Sequence, residues 1–455
     1  MIRVLTSVLA LFLLLAGISA NAAEEQEDRL KELEAKVEQL QKQLDAVSKT
    51  SDGIELEEIR RQLRVLSEEI EKLRSGEEEQ PALEESERRA LGLGPSAATV
   101  YRKKQGVSIA GYGEMLYENF AEETDSETPS GRTDQIDFLR AIVYFGYRFN
   151  ENFLFNSEIE FEHASTGEGG EVSVEFAHLD YIATEGVTLR GGMVLLPMGL
   201  VNEIHEPTAF LGARRPVTET VIIPSTWREN GFGIVGRRGM FDYRAYLING
   251  FNAAGFSSSG LRDGRQDGAR ARLKNPSFAG RVDVTPTAGL LVGGSLYAGN
   301  SGVFDIAVPT ELEVRTVIGE LHGDLQYRAL ALRALFAQAT LDDVAQLNQA
   351  LALEGPSTVG ERLRGGYLQA GYNLLAGHTG RKDSLTPYVR FESVNTHSEV
   401  PAGFAKNPAR DQTIWTFGVE YKPILNIVIK ADYQAMDNAA GTAVDQLNIT
   451  LGYNF

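Results

Sequence analysis

Few residues in this sequence have types and spacings that could support catalysis. Glu158, Glu160 and Glu162 recur at every second position, and such a row could supply an acid and a base for hydrolysis. No serine and histidine pair accompanies them, and alternating carboxylates are more typical of the wall of a water-filled barrel. We therefore do not expect the chain to be an enzyme.

A glycine motif also invites a chemical interpretation. Residues Gly231 to Gly236, GFGIVG, satisfy the G-x-G-x-x-G pattern of dinucleotide-binding proteins. That pattern should follow a strand and open a helix, because the helix N-terminus holds the pyrophosphate. Here it follows a loop with a proline and continues as an alternating apolar and polar segment. We expect no nucleotide and no other cofactor.

The composition argues against a metal site and against nucleic acid as a partner. The chain has no cysteine, which excludes disulfides, thiolate metal sites and a cysteine nucleophile. The six histidines are scattered, with no two at i and i+4, so no metal site is expected: His163, His178, His205, His322, His378 and His397. The net charge of −19 argues against nucleic acid as a partner.

The N-terminus has the pattern of a signal peptide over residues 1–22. Arg3 precedes an apolar run from Val4 to Ile18, and Ala20 and Ala22 fit the cleavage rule. The run is short for a transmembrane helix, although an uncleaved anchor is the alternative. After residue 23, no run of about 18 apolar residues follows that could form such a helix.

Residues 23–75 predict a periplasmic coiled coil. Apolar residues recur at alternating three- and four-residue spacings in two frames, which Gly53 separates: Leu30, Leu33, Val37, Leu40, Leu44 and Val47, then Leu56, Ile59, Leu63, Leu66, Ile70 and Leu73. A single amphipathic helix packed on a globular partner is the alternative. Residues 76–105 lose this periodicity, contain Pro81 and Pro95, and predict a linker.

Residues 106–455 alternate between apolar and polar types in segments of about ten residues, as in outer-membrane barrels. The clearest segment ends the chain, with one apolar face formed by Leu447, Ile449, Leu451, Tyr453 and Phe455. Sixteen such segments occur: 107–118, 135–149, 152–163, 172–184, 187–196, 230–237, 240–251, 277–285, 288–298, 312–327, 330–340, 363–375, 384–396, 411–421, 426–436 and 446–455. We predict an all-β transmembrane barrel of about 16 antiparallel strands, with 14 to 18 as the range, in the outer membrane.

Part of the barrel resembles the phosphate-selective porin O/P family. The resemblance rests on LRGGMVLLPMG at Leu189 to Gly199, on the pair Arg214 and Arg215, and on IIPSTWRENGFGIVG at Ile222 to Gly236. It implies a homotrimer of sixteen-stranded barrels in which arginines line the lumen and pass anions. The matching candidates for lining or constricting the pore are Arg140, Arg148, Arg190, Arg214, Arg215, Arg228, Arg237 and Arg244. No lysine lies between Lys104 and Lys274, so the family's lysine-based phosphate site is not expected here.

Two functions of different class follow from these observations. The first is a porin through which small solutes diffuse passively, with phosphate or dicarboxylates among the candidate anions. The second is an envelope-anchoring protein whose barrel carries the coiled coil. The expected partners are outer-membrane lipid, small ions and solutes, two further copies of the chain, and peptidoglycan or another envelope component at the coiled coil.

The long third loop, about Val201 to Arg228, is the expected constriction. Arg214 and Arg215 stand beside Pro216, which stiffens the chain. Two guanidiniums in a narrow passage would attract anions more strongly than in bulk water. The alternative is that they pair with acidic residues of the same loop and only brace it: Glu203, Glu206 and Glu219.

Overall fold

A computed structural model of the chain describes residues 85–163, 169–303, 312–378 and 380–455, together with Ala35, Lys36, Val37, Gln39 and Lys42, which are helical. The chain divides into two compact units, Met1–Ala82 and Leu83–Phe455. The predicted signal peptide, and all but those five residues of the predicted coiled coil, lie outside the described residues. Within the described residues, no helix is both long enough and apolar enough to cross a membrane.

Sixteen antiparallel strands form a closed barrel, in which each strand pairs with its neighbours in sequence and β1 pairs with β16. The strands are β1 Gly106–Phe120, β2 Gln135–Arg148, β3 Phe153–Glu162, β4 Val172–Thr184, β5 Val187–Leu195, β6 Arg228–Arg238, β7 Phe241–Asn249, β8 Pro276–Thr287, β9 Leu290–Gly302, β10 Glu313–Tyr327, β11 Leu330–Leu341, β12 Arg362–Tyr372, β13 Ser384–Glu399, β14 Asp411–Ile424, β15 Ile427–Asn438 and β16 Gln446–Asn454. The predicted all-β barrel and its sixteen strands are confirmed. The largest difference is at β9, which continues to Gly302 where the prediction ends at 298.

The two faces of the barrel have opposite polarity. Large apolar side chains point outward and are exposed, such as Phe232 at 66% and Leu321 at 70%. The inward face is rich in buried charged groups, among them Glu158, Asp180 and Arg390. A closed barrel leaves no strand edge unpaired, and an apolar outer surface matches lipid rather than water. The chain is therefore an outer-membrane β-barrel.

The two ends of the barrel differ in the length of their connections. Turns at 149–152, 185–186, 239–240, 288–289, 328–329 and 425–426 are short, and only 373–383 is longer at that end. The opposite end carries the long connections, including the third loop at 196–227, which contains helix α2 Thr218–Val221. Another, at 342–361, contains helix α3 Val344–Ala350. Short turns mark the periplasmic end in barrels of this kind.

The segment before the barrel is folded where the sequence predicts a linker. Residues 85–102, which we call the pre-barrel segment, form helix α1 Glu85–Leu91 and a 3-10 helix Ala97–Arg102. Ala97 and Ala98 are buried in one apolar cluster with the lumen-facing rings of Tyr112 and Phe176. Small side chains let the segment approach the wall closely, and the lumen supplies the apolar partners that an exposed linker would lack.

Candidate functional site

The third loop turns into the barrel directly after β5. Gly199 has a φ of +69°, and a Cβ atom there would lie 2.4 Å from Oε2 of Glu219, so only glycine fits without strain. Asn202 closes the neck of the loop, because its Nδ2 donates to the carbonyls of Leu196 at 2.8 Å and Trp227 at 3.1 Å. Its Oδ1 accepts from the Trp227 amide at 2.7 Å. The loop therefore leaves and rejoins the wall at one braced point.

Beyond its neck, the third loop is held to many strands of the wall. The lumen-facing partners donate to loop carbonyls and carboxylates or accept from loop amides. They are Arg281 on β8 with Gly199, Arg244 on β7 with Glu203, Asn454 at the end of β16 with Glu206, Lys422 on β14 with Thr208, Lys430 and Asp432 on β15 with Phe210, Gly212 and Ala213, Glu392 on β13 with Val217, and Tyr367 on β12 with Glu219. The loop thus crosses the interior of the barrel, as the constriction hypothesis requires.

Arg214 and Arg215 lie on this loop inside the barrel. The Arg214 guanidinium contacts the carboxylate of Glu118, which faces the lumen from β1, and 43% of the Arg214 side chain is exposed. Arg215 is half-buried, and its Nη2 has no hydrogen-bond partner among the described residues. Burial lowers the pKa of both guanidiniums, and at Arg215 the nearby charge of Arg140 lowers it further. Arg214 is thus paired with one carboxylate and still exposed, whereas Arg215 keeps one nitrogen without a partner among the described residues.

The three acidic residues proposed as loop braces have other partners. Glu203 lies 3.5 Å from Nε of Arg244, and Glu219 accepts the amides of Leu200 and Val201 at 2.7 and 2.8 Å. Glu206 accepts the Ser96 amide at 2.8 Å. Burial raises the pKa of Glu206, although its hydrogen bonds from Asn454 and Ser96 act in the opposite direction. The acids brace the loop, but the described contacts do not pair them with Arg214 or Arg215.

Three of the candidate arginines bind the pre-barrel segment. Arg148 Nη1 donates to the Tyr101 carbonyl at 3.0 Å, and Arg190 Nη1 donates to the Leu91 carbonyl at 2.9 Å. Arg244 Nη1 donates to the Arg89 carbonyl. Arg190 also pairs with Asp180, and Arg244 with Asp283, which balances their charges. These lumen arginines therefore hold a polypeptide segment as well as facing the interior.

The other three candidates each lie beside carboxylates of the wall. Arg140 lies between Glu114 at 3.4 Å and Glu160 at 3.6 Å. Arg228 lies 3.8 Å from Glu175. Arg237 forms a two-bond pair with Asp242 beside the periplasmic turn at 239–240, at 2.6 and 2.9 Å. The eight arginines do not form one continuous row along the described lumen wall.

The structure also brings together a cluster that the sequence did not predict. His205 on the third loop contacts Glu158 on β3 and Glu175 on β4, and all three are buried. Glu175 reaches this cluster through a β-bulge: Glu158 pairs with Phe176 and Ile159 with Val174, which leaves Glu175 as the extra residue. A bulge can point an additional side chain to one face of a sheet. The signal for it is the break in alternation after Glu175, where two apolar residues, Phe176 and Ala177, follow each other.

Solved barrels of low sequence identity show some likeness to this fold, whereas no family model matches the chain. A loop L8 deletion mutant of OmpT, an outer membrane protein of Vibrio cholerae, is 15% identical with a TM-score of 0.48, covering 78% of this chain and 100% of that chain. The outer membrane channel DcaP of Acinetobacter baumannii is 11% identical with a TM-score of 0.49, covering 77% and 97%. A mutant of the Rh. blastica porin is 11% identical with a TM-score of 0.42, covering 77% and 100%. At such identities, the functions that these names state describe those solved proteins only.

A much nearer relative occurs in Aquifex aeolicus (strain VF5). It is described as an uncharacterized protein and is 40% identical over 362 residues, which are 76% of this chain and 79% of the relative. Identity at this level over most of both chains indicates common ancestry and a shared fold. The chain belongs to the same family as this Aquifex aeolicus protein.

Proposed function

We propose that this barrel is a porin of the outer membrane that lets small solutes diffuse passively and prefers anions. The observation that carries the proposal is the position of Arg214, which is 43% exposed on a loop that crosses the barrel interior. A cation held in a confined passage attracts anions more strongly than the same cation in bulk water, because less solvent screens it. Arg215, with an unpartnered Nη2, adds to this field.

Small oxyanions such as phosphate or dicarboxylates are the proposed solutes. This choice extends the resemblance to the phosphate-selective porin O/P family, which also suggests a homotrimer. The lysines nearest the third loop come from the wall instead of the loop itself: Lys422 donates to the Thr208 carbonyl and Lys430 to the Phe210 carbonyl. Arginine in this loop suits oxyanions, because its planar fork can donate two parallel hydrogen bonds.

Exchanging both loop arginines tests the constriction. In the double variant R214A/R215A we expect single-channel conductance to rise, because two long side chains leave the passage. The anion-to-cation permeability ratio should fall by about fivefold, which corresponds to ~1 kcal/mol of lost attraction. Reversal potentials in a salt gradient across planar bilayers measure this ratio.

The matched control is R238A, which removes one exposed arginine at the periplasmic turn after β6. It should leave both conductance and permeability ratio at the wild-type values. A double variant with wild-type conductance and selectivity would contradict the constriction role. A noisy channel with unchanged selectivity would instead identify the two arginines as braces of the loop.

Envelope anchoring is the second candidate function, because the pre-barrel segment lies inside the lumen. Asn156 donates to the Ala97 carbonyl at 2.8 Å, and Ala98 is fully buried, so this part of the lumen is filled. A barrel that served only as an anchor for the N-terminal region would not need to conduct. Purified protein that inserts into bilayers and gives no conductance would favour anchoring over diffusion.

The N-terminal residues enter this proposal as two elements of the envelope protein. Residues 1–22 direct export, and residues 23–75 form a three-stranded coiled coil that reinforces a trimer and contacts peptidoglycan or another envelope component. The seam mixes leucine with valine and isoleucine, unlike the pattern that favours two-stranded coils.

Deleting residues 24–75 tests the trimer contribution. We expect barrels that still insert, but an oligomer that dissociates at a lower temperature in detergent, because the heptad contacts are lost. Heating before electrophoresis without full denaturation measures this temperature. An unchanged dissociation temperature would remove the coiled coil from the assembly.

A further inference from the structure

We propose that His205, Glu158 and Glu175 form a binding site for a divalent transition cation of the Zn²⁺ class, which links the third loop to the barrel wall. The three side chains come from the loop, β3 and β4, and their relative exposures are 3%, 0% and 1%. One donor atom from each lies within 4.8 Å of the other two. Such a site lies beyond the diffusion function and does not depend on it.

The hydrogen bond at the far side of the imidazole fixes the role of each ring nitrogen. Nδ1 of His205 lies 2.9 Å from the carbonyl oxygen of Asn202. A carbonyl can only accept, so Nδ1 must carry the proton that it donates. In the neutral ring, Nε2 then presents a lone pair. In histidines that bind a metal through one ring nitrogen, the other ring nitrogen commonly donates to a backbone carbonyl in this way.

Nε2 points at two carboxylates together. It lies 3.2 Å from Oε1 of Glu158 and 3.0 Å from Oε2 of Glu175. Oε2 of Glu175 makes no hydrogen bond despite this short distance, and Oε2 of Glu158 also has none among the described residues. A single proton on Nε2 would serve Glu158 and leave Glu175 unsatisfied. A cation placed between the three atoms would satisfy both carboxylates.

Another buried histidine in the barrel provides the contrast. His322 contacts Glu320 through Nδ1 at 2.9 Å and Asp283 through Nε2 at 3.0 Å. Each ring nitrogen there faces one carboxylate, so no two carboxylates of the described residues converge on the same ring nitrogen. In addition, Arg281 pairs with Asp283 at 2.8 Å. At His205, by comparison, the nearest guanidinium to Glu175 is that of Arg228, 3.8 Å away.

The donor set and its spacing select the cation. One imidazole nitrogen and two carboxylate oxygens suit Zn²⁺ and similar divalent ions, whereas Ca²⁺ and Mg²⁺ prefer oxygen alone. Metal–ligand bonds of about 2.0–2.2 Å in a tetrahedron place neighbouring ligand atoms about 3.3–3.5 Å apart. The nitrogen–oxygen separations of 3.0 and 3.2 Å need little change to accept an ion. The β-bulge that brings Glu175 into the lumen completes the set.

Metal binding to the purified full-length chain tests the proposal. Protein in detergent, without an affinity tag and after chelator treatment, is dialysed against Zn²⁺, and bound metal is counted by mass spectrometry. We expect one tightly held Zn²⁺ per chain in the wild type and in H322Q, a variant of the contrasting buried histidine. Both H205Q and E175Q should lose this bound Zn²⁺. E175Q keeps the size of the side chain, so it serves if H205Q fails to fold.

The Zn²⁺ counts either support or overturn the site. The site is supported if E175Q loses the bound Zn²⁺ and H322Q retains it. Heat-modifiable migration on gels shows that the barrels of both variants are folded. X-ray absorption of the bound Zn²⁺ should then show one imidazole and oxygen ligands. A wild type that binds no Zn²⁺, or variants that bind as much as the wild type, would overturn the proposal. Nε2 would in that case carry a proton.

Discussion

Deleting residues 24–104 should raise single-channel conductance severalfold over that of a chain lacking only residues 24–82. The longer deletion removes the pre-barrel segment, whereas the shorter one leaves it and the compact unit Leu83–Phe455 intact. The expected rise follows from the space that the segment occupies, since Leu93, Ala97 and Ala98 are buried against the lumen wall. Conductance in planar bilayers at equal salt is the measurement.

The longer deletion should also strengthen anion preference. Arg148, Arg190 and Arg244 each donate one N–H group to a carbonyl of the pre-barrel segment. Without the segment, these donors face water and passing ions, and arginine groups that line a pore favour anions. The reversal potential should therefore shift in the anion direction relative to the shorter deletion.

A point variant separates the segment from the effects of truncation. Ala98 is fully buried, so A98R should expel the segment from its position and raise conductance without shortening the chain. Equal conductance for the two deletions, together with wild-type conductance for A98R, would mean that ions pass elsewhere in the lumen. The anchoring interpretation would gain support if the barrel conducted only after the segment had been removed.

The strands could be predicted because alternation records directly which face meets lipid. Phe145 and Leu451 are exposed on the outside of the barrel. The residues directly before them, Tyr144 and Thr450, are buried on the inside. In a soluble protein, such a pattern could describe several sheets. Its repetition through sixteen segments favours a closed barrel.

The pre-barrel segment could not be predicted, because its composition is that of a linker. Gly92 and Gly94 indicate flexibility in a sequence, but in the structure they permit close contact. A Cβ atom on Gly94 would lie 2.3 Å from Oε1 of Glu206, and Gly92 has a φ of +67°. Gly92 lies against Glu203 and Gly94 against Glu206. Both glutamates are more than a hundred positions away in the chain, so no local pattern reveals the contacts.

The contacts of the candidate arginines also could not be predicted from a local sequence pattern. Alternation correctly predicts that Arg190 faces inward, but its environment depends on strand register, which places Asp180 of β4 directly opposite. The bulge at Glu175 changes the face of that residue without any glycine or proline to signal it. Periodicity predicts which face a residue occupies, whereas its charge partners are set by contacts between distant strands and the folded loop.

The K430M variant should release the third loop from the barrel wall. Lys430 is fully buried, and its Nζ donates to the carbonyls of Phe210 at 2.7 Å and Gly212 at 3.0 Å. The ammonium also lies 4.1 Å from the centre of the Phe210 ring. The carboxylate of Glu420 lies 4.0 Å from Nζ and would remain in the variant. Loss of a buried cation whose acidic neighbour remains costs on the order of 3–5 kcal/mol, so the stability of the barrel to urea in lipid should fall by about that amount.

The consequence for the channel is a mobile constriction. Freed from Lys430, the backbone around Arg214 should move, which predicts noisy single-channel currents and cleavage by trypsin after Arg214 in folded protein. The matched control is K422M, because Lys422 also binds a loop carbonyl, that of Thr208 at 2.8 Å, and pairs with Glu420 at 3.2 Å, but its side chain is 22% exposed. Water can replace both contacts of an exposed ammonium, so the control should lose only about 1 kcal/mol. Equal losses in the two variants, or quiet currents and resistance to trypsin in K430M, would show that the other wall contacts hold the loop without Lys430.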